Sequence, residues 1–291
     1  MNHSDPKTRH DFAYLFDVTN GNPNGDPDNA NMPRIDPETM LGLVSDVALK
    51  RKVRDFVGTT RKGTPGYAIF IQSQVALNTL QDRTAESAGI RKLKEGQAND
   101  DARKVMCREF YDVRMFGAVM SGKAQYNAGQ VRGPLQMTFA RSWDPVLPLD
   151  LSVTRKAKTT EARMEAPGQT DMGRKPMIPY GLYLAKGHYN PFLGEQTGVT
   201  EEDLDLFWDS LGRMFEFDRS ASRGEMACRG CYVFTHDTPL GNAPSHKLFE
   251  LLSVRKKDGV RVPRTFQDYL VDVKDPGSAG HKGVELTRLF E

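Results

Sequence analysis

Hydrophobic residues recur along this chain with two periods, and each period predicts a type of secondary structure. Apolar side chains at every second position favour a strand, whereas a spacing of three and four favours a helix. The clearest helix follows Thr200, where acidic residues precede a stripe of leucine, phenylalanine and tryptophan. The main predicted elements are a strand at 12–18, a helix at 46–57, strands at 134–140 and 178–188, a helix at 201–215 and a strand at 226–235.

The order of these elements corresponds to a known fold. Strand, helix, strand, strand, helix, strand is the ferredoxin-like βαββαβ order, which RNA-recognition modules share. We therefore predict an α+β protein built on a ferredoxin-like, RRM-like sheet. One polar stretch separates the first helix from the second strand, and another opens the hairpin between the second and third strands. Within the first stretch, residues 67–71 predict a short strand, whereas residues 78–101 show no clear periodicity and predict an irregular excursion.

The overall charge says little about partners, but one local cluster is informative. The 40 basic and 38 acidic residues give a net charge of +2, so only the arrangement of charge carries information. On the predicted helix at 46–57, Lys50, Arg51 and Arg54 occupy one arc beside the apolar stripe. Because this helix follows a strand and a turn-rich loop at 20–28, the arc favours a site for a phosphate backbone. An ordinary solvated helix face is the alternative.

Other polar segments extend this candidate site. The basic stretch at 155–175 contains few apolar residues, and so long a loop between two strands is typically functional or disordered. A polar, glycine-containing loop at 121–129 offers further hydrogen-bond donors. On these grounds, the residues predicted to contact RNA sugar or phosphate are Asn20, Arg34, Ser45, Lys50, Arg51, Arg54, Ser121, Lys123, Gln125, Arg155, Lys156 and Lys158.

Residue spacing gives no support to metal or cofactor chemistry. Cys228 and Cys231 form a close pair, but no second pair completes a four-ligand zinc site. A calcium loop beginning at Asn20 would place Asn20 at its first position and Asn31 at its twelfth, where an acid and a glutamate are required. The sequence also contains no Walker loop. We therefore expect no metal and no cofactor.

The same reasoning predicts a cytoplasmic protein that does not contact a membrane. The first ten residues are polar, so we expect no secretory signal. No run of the sequence approaches the roughly 20 apolar residues of a membrane span. Three cysteines are an odd number, which fits a reducing compartment.

Several longer motifs resemble those of a known family. These motifs cover residues 16–27, 33–39, 46–54, 112–117, 177–183 and 217–221. Together they resemble the backbone subunit of type I-C CRISPR effector complexes, the Cas-seven (Cas7) family. The resemblance implies a hand-like shape, with an RRM-like palm formed by 1–54, 133–143 and 176–291, a finger insertion at 55–132 and a thumb hairpin at 144–175.

The resemblance also implies a function. Such subunits polymerise along one CRISPR guide RNA and present it for pairing with target DNA, without catalysis by the subunit itself. The partners implied are the guide RNA, target DNA through the guide, further copies of the chain, and the large, small and Cas-five-type subunits of the complex. In relatives an apolar finger residue wedges at a displaced nucleotide, and Met120 or Val119 is the corresponding candidate here, with Met120 included among the predicted RNA contacts.

Two other functions remain open from the sequence. Related backbone subunits of type III complexes cut RNA, and early aspartates suit a metal-dependent ribonuclease. The second alternative is a free-standing RNA-binding module that does not polymerise. The aspartates in question are Asp17, Asp26, Asp28 and Asp36.

Overall fold

A large antiparallel sheet forms the centre of the protein. The computed structural model describes residues 1–73, 75–92, 97, 99–120, 124–155 and 171–290, without the side chains of 155, 171 and 172. Its strands are β1 His10–Gly21, β2 Gly25–Asp26, β3 Met32–Pro33, β4 Leu41–Val44, β5 Gly117–Met120, β6 Gly129–Arg132, β7 Leu135–Met137, β8 Ala140–Pro145, β9 Leu149–Arg155, β10 Asp171–Tyr189, β11 Glu225–His236, β12 Leu252–Lys256, β13 Tyr269–Val273 and β14 Val284–Leu289. Its helices are α1 Asp46–Thr60, α2 Leu77–Ser87, α3 Asp100–Glu109, α4 Tyr111–Phe116, α5 Pro191–Thr197, α6 Glu201–Phe217 and α7 Ser245–Phe249.

The main sheet runs in the order β14-β11-β1-β10-β8-β4, and β7 and β9 also pair with β10. All of these pairings are antiparallel. The four predicted strands therefore lie in the spatial order fourth, first, third, second. The strand predicted at 134–140 is split between β7 and the start of β8. The prediction of a mixed α+β protein is confirmed.

Both long helices pack on one face of the sheet. Alternate residues of β1, including Phe12 and Phe16, point to this face and are fully buried against Leu49 of α1 and Phe207 of α6. Each such side chain contributes roughly 1.5–3 kcal/mol through burial. Tyr14 lies in the same row, and its hydroxyl donates to the carbonyl of Leu211 over 2.7 Å.

The intervening residues of β1 are buried on the opposite face. Ala13 and Leu15 pack there with Leu182, Phe234 and side chains of α7 and the β12–β13 hairpin. A strand that is covered on both faces has no polar side to display, so its sequence becomes a continuous apolar run. This double burial explains why residues 12–16 show little polar alternation.

A separate small core supports the insertion between α1 and β6. Phe70, Met106 and Val131 are buried there together with side chains of α2 and α3. The excursion predicted at 78–101 is wrong in part, because α2 occupies 77–87. The strand predicted at 67–71 is also wrong, since the described residues there form one isolated bridge, at Ala68.

Beyond the sheet, β9 and the start of β10 continue as a two-stranded extension. Their register pairs Leu149 with Met177 and runs outward to Arg155 and Asp171. Residues 156–170 lie outside the described part of the chain. No helix in the described part of the chain is both long enough and apolar enough to span a bilayer.

Candidate nucleic-acid interface

Three segments meet at the end of β1 and form a cavity, which we call the α1 cradle. The loop after β1 approaches the turn before β11 so closely that a Cβ at Gly21 would overlap the carbonyl oxygen of Arg223. The N–H of Asn22 donates to the carbonyl of Ser222 over 2.8 Å. The cradle has a volume of about 400 Å³ and is lined by Asn22, Pro23, Asn24, Gly25, Asn31, Ser45, Val47, Ala48, Arg51, Lys52, Ser222 and Arg223.

Asparagine side chains hold the cradle loop against the start of α1. Asn24 Oδ1 accepts the backbone N–H of Ser45 over 2.9 Å, and Asn22 Nδ2 donates to the carbonyl of Asn31 over 2.7 Å. Ser45 caps the helix, because its Oγ accepts the N–H of Ala48. The first turn of α1, with backbone N–H groups that lack intrahelical acceptors, therefore forms one wall of the cradle. Such a wall favours an anion.

The side chains in the cradle wall are positively charged overall. Arg51, Lys52 and Arg223 line it, and no carboxylate of the described residues does. Arg51 is 69% exposed, with Nε 3.6 Å from Asp55 Oδ2. Lys52 and Arg223 share Asp218 behind the wall, the Arg223 Nε lying 2.7 Å from its Oδ2. Burial lowers the pKa of Lys52, and the hydrogen bond to Asp218 opposes that shift.

The predicted cationic arc is wrong as a continuous surface. Lys50 is buried, with Nζ 3.0 Å from Asp46 Oδ2 and 3.2 Å from Gln136 Oε1. Arg54 Nε donates to Asp112 Oδ2 over 2.8 Å. Both cations also lie over the ring of Phe116. Helix α4 covers this flank of α1, so only Arg51 of the three predicted cations faces solvent.

Arg54 is therefore expected to matter for stability rather than for RNA binding. Arg54→Ala leaves the buried carboxylate of Asp112 with two backbone N–H donors and no cation, which should cost roughly 3 kcal/mol of unfolding free energy. Arg51→Ala, on the exposed side of the same helix, should change stability by less than about 0.5 kcal/mol. Urea denaturation of both variants checks this pair. An Arg54→Ala protein with unchanged stability and weakened RNA binding would restore Arg54 as a phosphate ligand.

Of the other residues predicted to contact RNA near the end of β1, some line the cradle and some do not. Ser45 and Arg51 line it. Asn20 directly precedes Gly21 and is exposed, with a left-handed φ of 49°, a conformation that asparagine tolerates. Arg34 follows the short β2–β3 ribbon, and its Nη1 lies 3.2 Å from Asp26 Oδ1.

The two wedge candidates of the insertion differ in solvent exposure. Met120 is 2% exposed and packs in the small core, whereas its neighbour Val119 is 72% exposed. Burial therefore argues against Met120 as a nucleotide contact, and Val119 stays a prediction. Gln125 is exposed and accepts a hydrogen bond from Lys92 Nζ.

Several predicted contacts fall outside the structural description. Ser121 and Lys123 lie outside the described residues, as do Lys156 and Lys158. Arg155 ends β9, and its side chain is likewise outside the description. They stay predictions.

Sequence reasoning missed Asn22, Lys52, Ser222 and Arg223 as members of the cradle. The helical position of Lys52 placed it away from the predicted arc, and the turn at 220–224 is distant in sequence. One signal was present, because Phe217–Ala221 belongs to the family motifs and so does the loop after β1. Neither motif alone indicates that the two segments touch.

The early aspartates do not converge. Asp26 lies beside Arg34, and Asp36 Oδ2 lies 3.1 Å from Arg141 Nη1. Asp17 lies on the sheet face opposite α1, where burial raises its pKa against hydrogen bonds from Arg229 and Tyr180. Within the described ranges, no group of three or more histidine, cysteine, aspartate or glutamate residues is arranged to hold a metal ion.

Comparisons with known proteins agree on one family. The family model described as CRISPR-associated protein Cas7 matches residues 8–274. The CRISPR-associated protein Cas7 of Haloferax volcanii is 23% identical over 289 residues, covering 92% of this chain and 81% of that protein.

Solved structures show weaker likeness. Chains of two complexes described as a CRISPR RNA-guided surveillance complex, the first in a pre-nicking state, have TM-scores of 0.47 and 0.48 at 14% and 16% identity. These matches cover 78% and 87% of this chain, and 78% of the other chain in both cases. A chain of the type III-B Cmr-beta complex bound to cognate target RNA has a TM-score of 0.43 at 11% identity, covering 78% of this chain and 61% of its own. Because all three TM-scores lie below 0.5, the family assignment rests on the sequence matches.

Proposed function

This chain belongs to the CRISPR-associated Cas7 family, and from that membership we propose that it is a guide-RNA-binding backbone subunit of a CRISPR effector complex. In this proposal copies of the chain polymerise along one guide RNA and present it for pairing with target DNA. The type I-C motifs in the sequence support an antiviral complex of that subtype, with large, small and Cas-five-type subunits as partners in the cytoplasm.

The observation that carries the proposal is the α1 cradle. It combines a helix N-terminus with the exposed Arg51 and with Arg223, and its described lining includes no carboxylate. Helix N–H groups and cations bind phosphate whatever the base sequence. A subunit that accepts guides of any sequence needs contacts of this kind, while base pairing reads the target.

The order of strands in the main sheet supports the proposed palm. Its strand order β11-β1-β10-β8, with α1 and α6 on one face, is the order expected of a ferredoxin-like, RRM-like palm. Helix α1 continues to Thr60, past the predicted palm boundary at 54. The small core of the insertion supports a finger between 55 and 132, and the β9–β10 extension supports a thumb between 144 and 175.

If the chain is a filament subunit, the number of copies bound should rise in proportion to the length of the RNA. We expect the mass of protein bound per RNA, measured by analytical ultracentrifugation, to rise stepwise as single-stranded RNAs of increasing length are supplied. The affinity should fall steeply with salt and should not depend on base sequence. Binding that saturates at one copy on every RNA would instead indicate a free-standing RNA-binding module.

The same mixtures test the non-catalytic part of the proposal. Labelled RNA incubated with the protein and Mg²⁺ should stay intact, since Asp26 and Asp36 lie beside arginines. Turnover that is lost in Asp26→Ala would establish the ribonuclease alternative.

A further inference from the structure

The hairpin formed by β12 and β13 carries a dense cluster of positive charge on the face of the sheet opposite α1. Its inner residues, including Leu252 and Val254, pack in the core of that face. Between 255 and 264 the chain has five cations and one acid, Asp258. The α1 cradle uses none of these cations. We call them the hairpin cations, and all five are exposed: Arg255, Lys256, Lys257, Arg261 and Arg264.

Most of the hairpin cations have no counter-ion in the described structure. The one ion pair that they form with described residues joins Lys256 Nζ to Asp144 Oδ1 over 2.9 Å. Asp268 follows the loop, but its carboxylate accepts the backbone N–H groups of Arg264 and Thr265. Like charges repel one another, so their concentration on one hairpin without carboxylates indicates a polyanionic ligand.

Other surface arginines are balanced locally. The side chains of Arg51, Arg108 and Arg213 are 69%, 65% and 67% exposed, which is as open as a binding surface requires. Each nevertheless has its Nε 3.6, 2.8 or 2.7 Å from a carboxylate one to four positions away in the chain. The hairpin therefore differs from these ordinary solvated faces.

An apolar cleft lies beside the hairpin cations. It has a volume of about 390 Å³, and its lining includes residues 262–264 of the hairpin loop together with Val146 and Leu149. The described lining contains one carboxylate, that of Asp144, which is already the partner of Lys256. The cleft therefore offers an uncharged, mostly apolar space next to a cationic surface.

These two features together fit unpaired nucleotides. Cations hold the phosphates of a strand whatever its base sequence, and a base can enter an apolar cleft only when it is not stacked and paired in a duplex. Arg264 belongs to both features, so one strand can place phosphates on the cations and a base in the cleft. An acidic peptide would satisfy the cations but gives no reason for the cleft.

We propose that the hairpin cations and the cleft bind single-stranded DNA, separately from the guide RNA. This inference rests on the proposed function, in which the guide pairs with one strand of a target duplex and so releases the other. The hairpin and α1 pack on opposite faces of the sheet. The guide and the released strand therefore use different cations of the same subunit.

The experiment adds labelled DNA to protein that is already loaded with RNA. Oligouridylate fills the filament, and fluorescein-labelled oligothymidylate, which cannot pair with it, is then titrated. Fluorescence anisotropy should show saturable binding of the DNA that weakens with salt. A DNA duplex of the same length should bind roughly 5-fold more weakly or worse, because its bases cannot leave the stack.

Two double variants locate the binding surface. Arg255→Gln with Arg261→Gln removes exposed charges, so the fold should be unaffected. The affinity for the DNA should fall roughly 10- to 30-fold, and the slope of log affinity against log salt should become shallower by about 1.4, the value for two phosphate contacts on a single strand. Arg83→Gln with Arg213→Gln is the matched control, because both arginines are exposed and the net charge changes equally; it should bind the DNA as the wild type does.

RNA loading, measured by sedimentation, separates this inference from the proposed function. The hairpin variant should load RNA normally. If it binds DNA like the wild type, the inference fails and the proposed function stands. If it loses RNA loading as strongly as DNA binding, the hairpin holds the guide and the inference also fails. If the wild-type protein loads no RNA, the proposed function fails, and the same comparison on the unloaded protein decides whether the hairpin binds DNA.

Two competitors test the class of ligand. A duplex that binds as tightly as the single strand overturns the single-strand assignment, because the cleft would then be unused. Oligoglutamate of equal charge should displace the labelled DNA less effectively than unlabelled oligothymidylate does. Equal displacement would point to an acidic protein partner and overturn the choice of DNA.

Discussion

Arg51→Glu is expected to cause the largest loss of RNA binding of any single substitution in the α1 cradle. Arg51 is the exposed cation at the cradle mouth, and its reversal replaces attraction of a phosphate by repulsion. Near a protein surface, such a change is worth roughly 2–3 kcal/mol, or about 30- to 150-fold in affinity. The slope of log affinity against log salt should also become shallower by about one.

Arg213→Glu is the matched control. Arg213 lies on α6, is 67% exposed against 69% for Arg51, and pairs with a carboxylate four residues away, as Arg51 does. The two substitutions change net charge equally. Filter binding over a salt series should show an effect for Arg51→Glu alone, and equal losses would mean that general charge, not the cradle, holds the RNA.

Arg114→Ala is expected to destabilise the fold more than Arg54→Ala does. Arg114 forms two hydrogen bonds with the buried Asp203, of 2.8 and 2.7 Å, and donates to the carbonyls of Cys107, Arg108 and Gly66. Burial opposes its charge, but the bonds to Asp203 outweigh burial and raise the pKa of Arg114. Removing one partner of a buried pair costs roughly 3–5 kcal/mol, because the other charge stays buried.

The contacts of Arg114 join the insertion to the start of α6, so its loss should loosen the two parts together. Arg108→Ala is the control, because Arg108 is exposed and pairs only with its neighbour Glu109 among the described residues; it should cost less than about 1 kcal/mol. Unfolding in guanidinium chloride measures the free energy of unfolding of both variants. The double variant Arg114→Ala with Asp203→Ala should lose less unfolding free energy than the two single variants lose together. Strictly additive losses would show that the two residues are not coupled.

The sequence predicted the order of elements well because hydrophobic period is a local property of the chain. The helix expected at 46–57 and the strand expected at 12–18 are present as α1 and β1. Local patterns failed where a distant group replaced the expected partner. At 67–71 the carboxylate of Asp112 accepts the N–H groups of Phe70 and Ile71, so these groups do not pair with a strand.

The candidate site was predictable only in outline. Ser45 and Arg51 were both among the predicted RNA contacts, and both line the cradle. Lys50 and Arg54 carry the same charge on the same helix, but α4 and Phe116 cover them. A helical wheel cannot indicate which polar flank a second element will occupy.

By itself, the amino-acid sequence determined the order of the main strands and helices outside the insertion, which family the chain belongs to, and that positive charge gathers on α1. Only the tertiary structure decided which of those charges reach solvent and which residues share a cavity. The physical reason is that exposure and proximity depend on packing between distant segments. Gly21 and Arg223 lie about two hundred positions apart, yet their contact places Asn22 in the wall of the cradle.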